Sequence, residues 1–287
     1  MQTVLVSGKN GQLGSELLNA HVSYPQFKFI FLDREEMDLS SQTSIAQAFD
    51  KYNPDYFINC GAYTLVDKAE TEKDLSEKIN GENVGYIAEL CKGLNATLIH
   101  ISTDYVFDGN NKSPYKTDDK TNPVNFYGQT KLQGEQAALA KNDKTIIIRT
   151  AWVYSSFGKN FVKTMLRLMN EKEEISVVND QVGTPTYARD LAIAICEIIS
   201  SDKKEYGIYH FTNSGIISWF DFAVEIKNLA NLNCKVNAIP TSKFPTPAKR
   251  PHYSVLDKSK IVEDYGIQLR DWKDSLKECM SYLQPIV

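Results

Sequence analysis

Tyr127 and Lys131 lie four positions apart, in the run Tyr-Gly-Gln-Thr-Lys, and could act together in proton transfer. On a helix this spacing places both side chains on one face. An ammonium beside a phenol favours the phenolate, so we predict that the pKa of Tyr127 is lowered from about 10 towards neutrality. Such a phenol can give a proton to an alkoxide or take one from an alcohol. The pair alone is weak evidence, because an exposed amphipathic helix often carries the same two residues.

The N-terminus carries a pattern that is typical of nucleotide binding. Residues 3–7 form an apolar, β-branched run that predicts a buried strand, and the glycine-rich run Gly-Lys-Asn-Gly-Gln-Leu-Gly follows at 8–14. Its glycines allow a tight turn, a close backbone approach to a phosphate and close packing of the next helix on the strand. The free amides and the dipole at the helix start attract a pyrophosphate. An ordinary strand-to-helix turn is the alternative interpretation.

Composition and charge exclude several other classes. The net charge of −4 over 287 residues gives no electrostatic reason to expect binding to nucleic acid or to an anionic membrane. We find no signal peptide and no apolar run long enough to span a membrane. The five cysteines show no paired spacing and the four histidines are scattered, so we expect reduced thiols, no metal and a cytoplasmic protein. His100, inside the apolar run 97–101, is predicted to be a core histidine.

Predicted strands and helices alternate along the first half of the chain. After the first strand, the strand candidates are 27–32, 55–60, 97–102 and 144–149, and the helix candidates are 41–52, 74–93 and 126–141. Such alternation predicts an α/β fold with a doubly wound parallel (Rossmann) sheet that binds ligands at the carboxyl ends of its strands. Gly8, Asp33, Ala62 and Thr103 all follow predicted strands.

The pattern becomes less regular beyond about residue 150. We therefore predict a nucleotide-binding domain over 1–150 and a smaller substrate-binding part over 151–287, interleaved with the first. The elements predicted in the second part are helices at 160–171, 187–200 and 218–231 and strands near 175–178 and 208–211. A proline-rich loop at 240–251 precedes a last segment with Trp272.

Thr103 stands at the end of the predicted strand 97–102, in the run Ser-Thr-Asp-Tyr-Val-Phe-Asp-Gly. Its hydroxyl could hydrogen-bond a substrate carbonyl and stabilise a developing alkoxide, although Ser102 and Thr103 could equally cap the turn. Together with Tyr127 and Lys131 it makes a coherent site for hydride transfer. In such a site a nicotinamide carries the redox chemistry, and the protein supplies position and a proton.

Several separate motifs resemble those of the extended short-chain dehydrogenase/reductases. The resemblance extends from Gly8 to about Trp272. The motifs that carry it are GKNGQLG at 8–14, AYTLVDKAE at 62–70, STDYVFDG at 102–109, NPVNFYGQTKLQGE at 122–135, RTAWVY at 149–154, NFVKTM at 160–165, DQVGTPT at 180–186 and PTPAKRPHYSVLD at 245–257.

The resemblance implies roles for individual residues. Tyr127 would protonate the C4 oxygen of a sugar, Lys131 would bind the nicotinamide ribose, and Thr103 would hydrogen-bond the keto oxygen. The implied cofactor-binding residues are Gly8, Asn10, Gly11, Gln12, Leu13, Asp33, Asp38, Leu39, Ala62, Tyr63 and Thr64, with Tyr127 and Lys131. The implied substrate contacts are Thr103, Asp104, Trp152, Asn160 and Arg250, the last because an arginine suits a diphosphate.

The reaction that the resemblance implies is reduction of the C4 keto group of a dTDP-4-keto-6-deoxyhexose to dTDP-L-rhamnose, a precursor of bacterial surface polysaccharide such as lipopolysaccharide O antigen. We expect NADPH as the cofactor with NADH as a competitor, since Asp33 favours a free ribose hydroxyl whereas Arg34 suits a 2′-phosphate. The partner is then the dTDP-sugar, and we expect a monomer or homodimer. Some relatives carry an acidic residue near position 189 that helps a metal to bridge a dimer; Arg189 stands here, so we predict no metal.

The sequence alone leaves two other functions open. A different nucleotide-sugar 4-ketoreductase, or an epimerase, would carry the same tyrosine, lysine and glycine-rich loop. Some relatives are instead non-catalytic regulatory subunits of methionine adenosyltransferase. Because Thr103, Tyr127 and Lys131 are all present, the sequence favours an enzyme.

Overall fold

Six parallel strands form the central sheet of this protein, which the computed structural model describes over residues 1–283. In order across the sheet they are β10 (Gly207–His210), β5 (Thr145–Thr150), β4 (Thr97–Thr103), β3 (Tyr56–Asn59), β1 (Gln2–Ser7) and β2 (Phe27–Leu32). The four inner strands are almost entirely buried, which explains why their sequences are continuous apolar runs. The predicted α/β fold with a parallel sheet is confirmed.

The order of the strands places a crevice at one edge of the sheet. Strand β1 pairs with β2 on one side and with β3 on the other, so the chain reverses its direction of winding at β1. In open parallel sheets, ligands bind outside the carboxyl ends of the strands at such a reversal. The loops that follow β1 and β3 approach closely there, since a Cβ on Gly8 would lie 2.8 Å from the Gly61 amide nitrogen.

Helices cover both faces of the sheet. The helices of the nucleotide-binding half are α1 (Gln12–Ala20), α2 (Gln42–Tyr52), α3 (Val66–Ala69), α4 (Lys73–Glu77), α5 (Asn83–Gly93) and α6 (Phe126–Lys141). One apolar core joins the sheet to α1 and to a later helix, and a second core joins its other face to α2 and α5. The predicted strand and helix positions are confirmed within a few residues, and one of the helices contains an irregular turn.

The helix predicted near 74–93 is confirmed, but it is irregular in its middle. A π-helical turn, Lys78–Glu82, separates α4 from α5. Within this turn the Asn80 side chain accepts from the Tyr63 backbone amide at 2.9 Å and donates to the Tyr63 carbonyl at 3.0 Å. The Asn80 carbonyl also lies so close to Gly134 of α6 that a Cβ on that glycine would overlap it. These tertiary contacts favour the wider turn over a regular helix.

The second half of the chain builds a third apolar core and also contributes to the sheet. Its helices are α7 (Phe161–Glu171), α8 (Ala188–Ser200), α9 (Trp219–Leu229), α10 (Ser259–Tyr265) and α11 (Trp272–Tyr282). Its remaining strands are β6 (Val153–Tyr154), β7 (Glu174–Val178), β8 (Val182–Gly183), β9 (Thr186–Tyr187), β11 (Ile217–Ser218) and β12 (Lys235–Ile239). Strand β10 and helix α8 complete the sheet layer, whereas α7, α9 and α11 surround the third core. The domain boundary at residue 150 stays a prediction.

No helix within residues 1–283 combines the length and the apolar character needed to cross a bilayer.

Candidate active site

A cleft of about 860 Å³ opens at the carboxyl ends of β1, β3, β4 and β5. Its size falls within the range of small-molecule and cofactor sites. Thirteen of the residues predicted from the sequence line it, namely Gly8, Asn10, Gly11, Gln12, Leu13, Asp33, Ala62, Thr64, Thr103, Asp104, Tyr127, Lys131 and Trp152. The fold therefore brings motifs that are as far apart in the sequence as 8–14 and 149–154 into a single cavity.

The glycine-rich loop forms one wall of the cleft. Gly8 has φ +75°, a conformation that favours glycine, and the Gly11 amide donates to the Gly8 carbonyl at 2.9 Å. Gly11 is the N-cap of α1 and has no side chain to satisfy the first amides of that helix. A Cβ on Gly14 would overlap the Gly8 carbonyl, so the helix can approach the strand only because this residue is glycine. Open helix amides beside a bare backbone fit a pyrophosphate.

Asp33 and Arg34 lie on the same side, where the sequence predicts the adenosine ribose. Asp33 Oδ1 accepts from the backbone amides of Glu35 and Glu36 at 3.0 and 3.2 Å. The Arg34 side chain is 79% exposed and its Nε lies 3.9 Å from Asp38 Oδ1. The carboxylate of Asp33 is thus already engaged by its own turn, whereas the guanidinium of Arg34 is free to reorient towards an anion.

Three predicted cofactor contacts do not line the cleft. Asp38 Oδ1 accepts from the Ser40 amide and hydroxyl at 2.9 and 2.8 Å, and these hydrogen bonds hold its pKa below the ordinary value against the opposing effect of burial. Leu39 packs against Gly61, where a Cβ would overlap its side chain. Tyr63 is buried and its hydroxyl donates to Glu72 Oε2 at 2.7 Å. In this structure these residues support the walls of the cleft.

Two predicted substrate contacts are also engaged elsewhere. Asn160 caps α7 by accepting from the Lys163 amide at 3.1 Å, and its Nδ2 donates to Gln12 Oε1 at 2.9 Å. Arg250 donates to both carboxylate oxygens of Asp67, at 2.6 and 2.9 Å. Asn160 thus positions Gln12, which lines the cleft, and Arg250 ties the proline-rich loop to helix α3. Direct contact of either residue with a nucleotide sugar stays a prediction.

Thr103 and Asp104 lie at the end of β4 in the floor of the cleft. The Thr103 hydroxyl donates to Asp104 Oδ1 at 2.9 Å and accepts from the Tyr105 amide at 3.2 Å. Burial raises the pKa of Asp104 to about 7, although the hydroxyls of Thr103 and Ser254 oppose the rise. Asp104 Oδ2 is buried and has no well-directed hydrogen bond within the described residues. Its carboxyl can therefore be protonated near neutral pH and has one oxygen available.

Tyr127 and Lys131 lie on α6, which begins after the N-cap Asn125. Both line the cleft, but the predicted lowering of the Tyr127 pKa is wrong for this structure. Burial raises the pKa of the phenol, the carboxylate of Asp104 raises it further, and the Thr103 hydroxyl only partly opposes the rise. The hydrogen bonds of Lys131 go elsewhere, since its Nζ donates to the Ile101 carbonyl at 2.6 Å and lies 3.2 Å from His100 Nε2.

Lys131 is itself 2% exposed, and burial lowers its pKa to about 8. His100 is fully buried, as predicted, and Asn59 contacts its other ring nitrogen. No sequence pattern indicated that this core histidine would lie against Lys131.

Trp219 is a cleft residue that the sequence analysis missed. Its ring stacks on Trp152 with centroids 3.6 Å apart and an interplanar angle of 13°. Trp152 adopts φ +50°, which is uncommon for a residue with a side chain, so the surrounding packing must hold it there. Trp219 is the first residue of α9, distant in sequence from every predicted motif. No local pattern could have assigned it to the cleft.

Arg189, the residue on which the prediction of no metal depends, lies at the start of α8. Its Nε is 3.4 Å from Glu278 Oε1, and its guanidinium donates to the Tyr282 hydroxyl at 2.8 Å. The five cysteines are free thiols, as predicted.

Comparisons with known proteins agree with this geometry. The family described as "RmlD substrate binding domain" matches residues 1–284. A dTDP-4-dehydrorhamnose reductase from Aggregatibacter actinomycetemcomitans is 40% identical over 295 residues, which cover 99% of this chain and 100% of that protein. The spore coat polysaccharide biosynthesis protein SpsK of Bacillus subtilis (strain 168) is 40% identical over 99% of this chain and 98% of its own.

A solved structure shows the same likeness in three dimensions. The dTDP-4-dehydrorhamnose reductase of Bacillus anthracis, crystallised in complex with NADP, superposes with a TM-score of 0.93 at 37% identity, over 98% of this chain and 99% of that one. Sequence and fold therefore agree along nearly the whole chain, which belongs to the RmlD substrate binding domain family together with these dTDP-4-dehydrorhamnose reductases.

Proposed function

We propose that this protein reduces the C4 keto group of dTDP-4-dehydrorhamnose (dTDP-4-dehydro-6-deoxy-L-mannose) to give dTDP-L-rhamnose, with NADPH as the preferred cofactor and NADH as an alternative. The observation that carries the proposal is that Thr103, Tyr127 and Lys131 share one cleft with the glycine-rich loop. Membership of a reductase family and the NADP complex of the Bacillus anthracis relative support the same reaction and cofactor.

The residues that line the cleft divide into two groups in this proposal. The loop 8–14 and the first amides of α1 hold the pyrophosphate of the dinucleotide, and Arg34 is close enough to the Asp33 turn to receive a 2′-phosphate. When bound, the nicotinamide supplies the hydride. Lys131, at the base of the cleft, donates the N–H that Ile101 and His100 leave free to the nicotinamide ribose.

Proton transfer falls to Tyr127. Because burial raises the pKa of its phenol, the hydroxyl is protonated at neutral pH and is ready to act as a general acid. The Thr103 hydroxyl donates to Asp104 in this structure, and it would turn its single proton to the C4 oxygen as negative charge develops there. Trp152, stacked on Trp219, provides an apolar surface for the sugar ring. Asn160 and Arg250 contact the nucleotide sugar after rearrangement of their present hydrogen bonds.

The product would supply a surface polysaccharide, such as the O antigen of a lipopolysaccharide. The Bacillus subtilis relative, which is named as a spore coat polysaccharide biosynthesis protein, supports this part of the proposal. We further propose a cytoplasmic enzyme, since its five cysteines are free thiols. It would act as a monomer or homodimer, which sedimentation analysis would decide.

The test is NADPH oxidation by the purified protein, with the 4-keto sugar generated in place and the product identified by NMR. We expect dTDP-L-rhamnose from the native protein and a loss of about 10²- to 10⁴-fold in kcat for Tyr127→Phe, with NADPH affinity retained. A different sugar product would show that the proposed substrate is wrong. Bound cofactor without any turnover would contradict the proposed reaction.

A further inference from the structure

A line of buried polar side chains runs beneath the cleft from Lys131 to the loop after β3. Lys131 Nζ lies 3.2 Å from His100 Nε2, and His100 Nδ1 lies 3.1 Å from Asn59 Nδ2. The Ser7 hydroxyl donates to Asn59 Oδ1 at 2.8 Å and accepts from the Gly61 amide at 3.4 Å. Ser7, Asn59, His100 and Lys131 are each no more than 2% exposed. Side chains from three strands of the sheet therefore connect Lys131 to the backbone amide of Gly61, a residue that lines the cleft.

The protons of this line cannot be placed independently. Burial and the Lys131 charge hold the pKa of His100 well below its ordinary value, so the imidazole is neutral and has a single N–H. An ammonium on Lys131 donates to Nε2, which leaves the imidazole proton on Nδ1. That proton needs an acceptor, and Asn59 supplies one only when its amide oxygen faces the ring.

The opposite orientation of the Asn59 amide requires Lys131 to be uncharged. When the amide nitrogen faces the ring, as it does here, Nδ1 is the acceptor and the imidazole proton lies on Nε2. Only a neutral amine on Lys131 can accept from that proton. Loss of one proton from Lys131 to water is thus linked to a change of tautomer at His100 and a turn of the Asn59 amide.

We propose that His100 is a positioning residue that, with Asn59, holds Lys131 at the base of the cleft and couples the charge of Lys131 to the orientation of the Asn59 amide. The fold supports this coupling at both ends. The Ile101 carbonyl fixes a second hydrogen bond of the Lys131 nitrogen. The Ser7 hydroxyl donates to Asn59 Oδ1 here and can accept from Nδ2 when the amide turns, because a hydroxyl both donates and accepts. The effect on catalysis rests on the proposed function, whereas the charge of Lys131 is measurable without any substrate.

Few charged groups compete with His100 for control of Lys131. Glu135, one turn later on α6, raises the Lys131 pKa, and burial, which acts more strongly, lowers it. The Glu135 carboxylate is bound by Arg149 of β5, with Nη2 2.7 Å from Oε2, so its charge is largely neutralised. From β1 and β3 the contacts to the line are the uncharged Ser7 and Asn59. Tyr127, on the preceding turn of α6, is a neutral phenol near neutral pH, because burial raises its pKa.

The test is a titration of the Lys131 side-chain nitrogen by NMR in ¹⁵N-lysine-labelled, cofactor-free protein, with Lys131→Met to assign the signal. His100→Leu removes the acceptor, so we expect the pKa of Lys131 to fall by about one unit or more. In His100→Gln the glutamine amide can accept at the position of Nε2, so the pKa of Lys131 should stay close to its value in the native protein. Asn59→Asp fixes an acceptor on the Nδ1 side and adds negative charge, so it should raise the pKa.

Asn142→Asp is the matched control, because Asn142 is as buried as Asn59 but lies before β5, where it binds the Ala96 and Lys144 carbonyls. It should cost stability without moving the Lys131 titration. The basic limb of the pH profile of kcat/KM should move in parallel with the NMR pKa. A Lys131 pKa that is unchanged in Asn59→Asp, that falls clearly in His100→Gln, or that moves equally in Asn142→Asp, would overturn the proposal.

The two variants that keep a polar side chain decide the question even if His100→Leu does not fold. If the native protein turns over no sugar, the proposed function fails, while the NMR titration still decides the role of His100.

Discussion

Trp152, which lies between β5 and β6, and Trp219 at the start of α9 stack face to face, with ring centroids 3.6 Å apart. Both line the cleft, and Trp152 is held at φ +50°. A second contact fixes the same ring, since a Cβ on Gly183 would lie 2.7 Å from Trp152 Cε2. The indole that faces the proposed sugar site therefore depends on two segments from the second half of the chain.

Replacement of Trp219 should weaken sugar binding more than the chemical step. The stacked pair is worth about 0.5–1.5 kcal/mol beyond its buried area. We therefore expect Trp219→Leu to raise KM for the sugar by about 2- to 10-fold with kcat nearly unchanged, because Trp152 loses its support. Trp219→Phe keeps an aromatic face and should retain most of the affinity. Steady-state kinetics at saturating NADPH would measure this, and an unchanged KM in Trp219→Leu would refute it.

Asp104 should make the protein less stable as pH rises. Its pKa is about 7 in the folded protein against an ordinary value of 3.8, so the folded state holds a proton that the unfolded state releases. The free energy of unfolding should then fall between about pH 4 and 7, by up to about 4 kcal/mol. Asp104→Asn keeps an acceptor for Thr103 and removes the titration. Urea unfolding at pH 4.5 and 8 should show the fall in the native protein and a smaller one in the variant.

Gly14→Ala should disrupt the glycine-rich loop that forms one wall of the cleft. The added Cβ would overlap the Gly8 carbonyl, so α1 must move away from β1, at a cost of about 1–3 kcal/mol and with loss of NADPH affinity. Gly93→Ala is the matched control, since Gly93 ends α5 and a Cβ there meets no atom within 4 Å. The control should be neutral or stabilising. Tight NADPH binding by Gly14→Ala in calorimetry would contradict the role given to this loop.

Arg250→Met and Asp67→Asn should have similar effects on stability. The pair is bidentate but partly exposed, with side-chain exposures of 20% and 40%, so we expect a loss of about 1 kcal/mol from either change. Hydrogen bonding from Arg250 lowers the pKa of Asp67, so this contribution is present above the ordinary pKa of 3.8 and is lost as pH falls through the lower, folded value.

The same two variants separate a structural role of Arg250 from contact with the substrate. If Arg250 binds the diphosphate, Arg250→Met should raise KM for the sugar well beyond the effect of Asp67→Asn, because only the first change removes the positive charge. Equal kinetics in the two variants would instead limit Arg250 to anchoring the proline-rich loop. A double-mutant cycle in urea would show whether the pair accounts for both losses.

The sequence by itself determined the strands of the central sheet, most of the helices and the residues whose types could carry chemistry. The buried parallel strands appear as continuous apolar runs. The turn after β1 requires glycines, and the spacing of the glycines in residues 8–14 is visible in the sequence. The spacing of Tyr127 and Lys131 follows from the helical repeat alone. These features are local, since each depends on backbone geometry within a few residues, and the structure places them as predicted.

Only the tertiary structure decided how those side chains behave. The pKa of Tyr127 is raised rather than lowered, because burial of the phenol outweighs a lysine whose hydrogen bonds go to His100 and Ile101. Arg250 is bound by Asp67 and Trp152 is paired with Trp219, in each case by a residue that is remote in sequence. Burial and long-range partners arise when separate elements pack together, and no pattern within a single element encodes them.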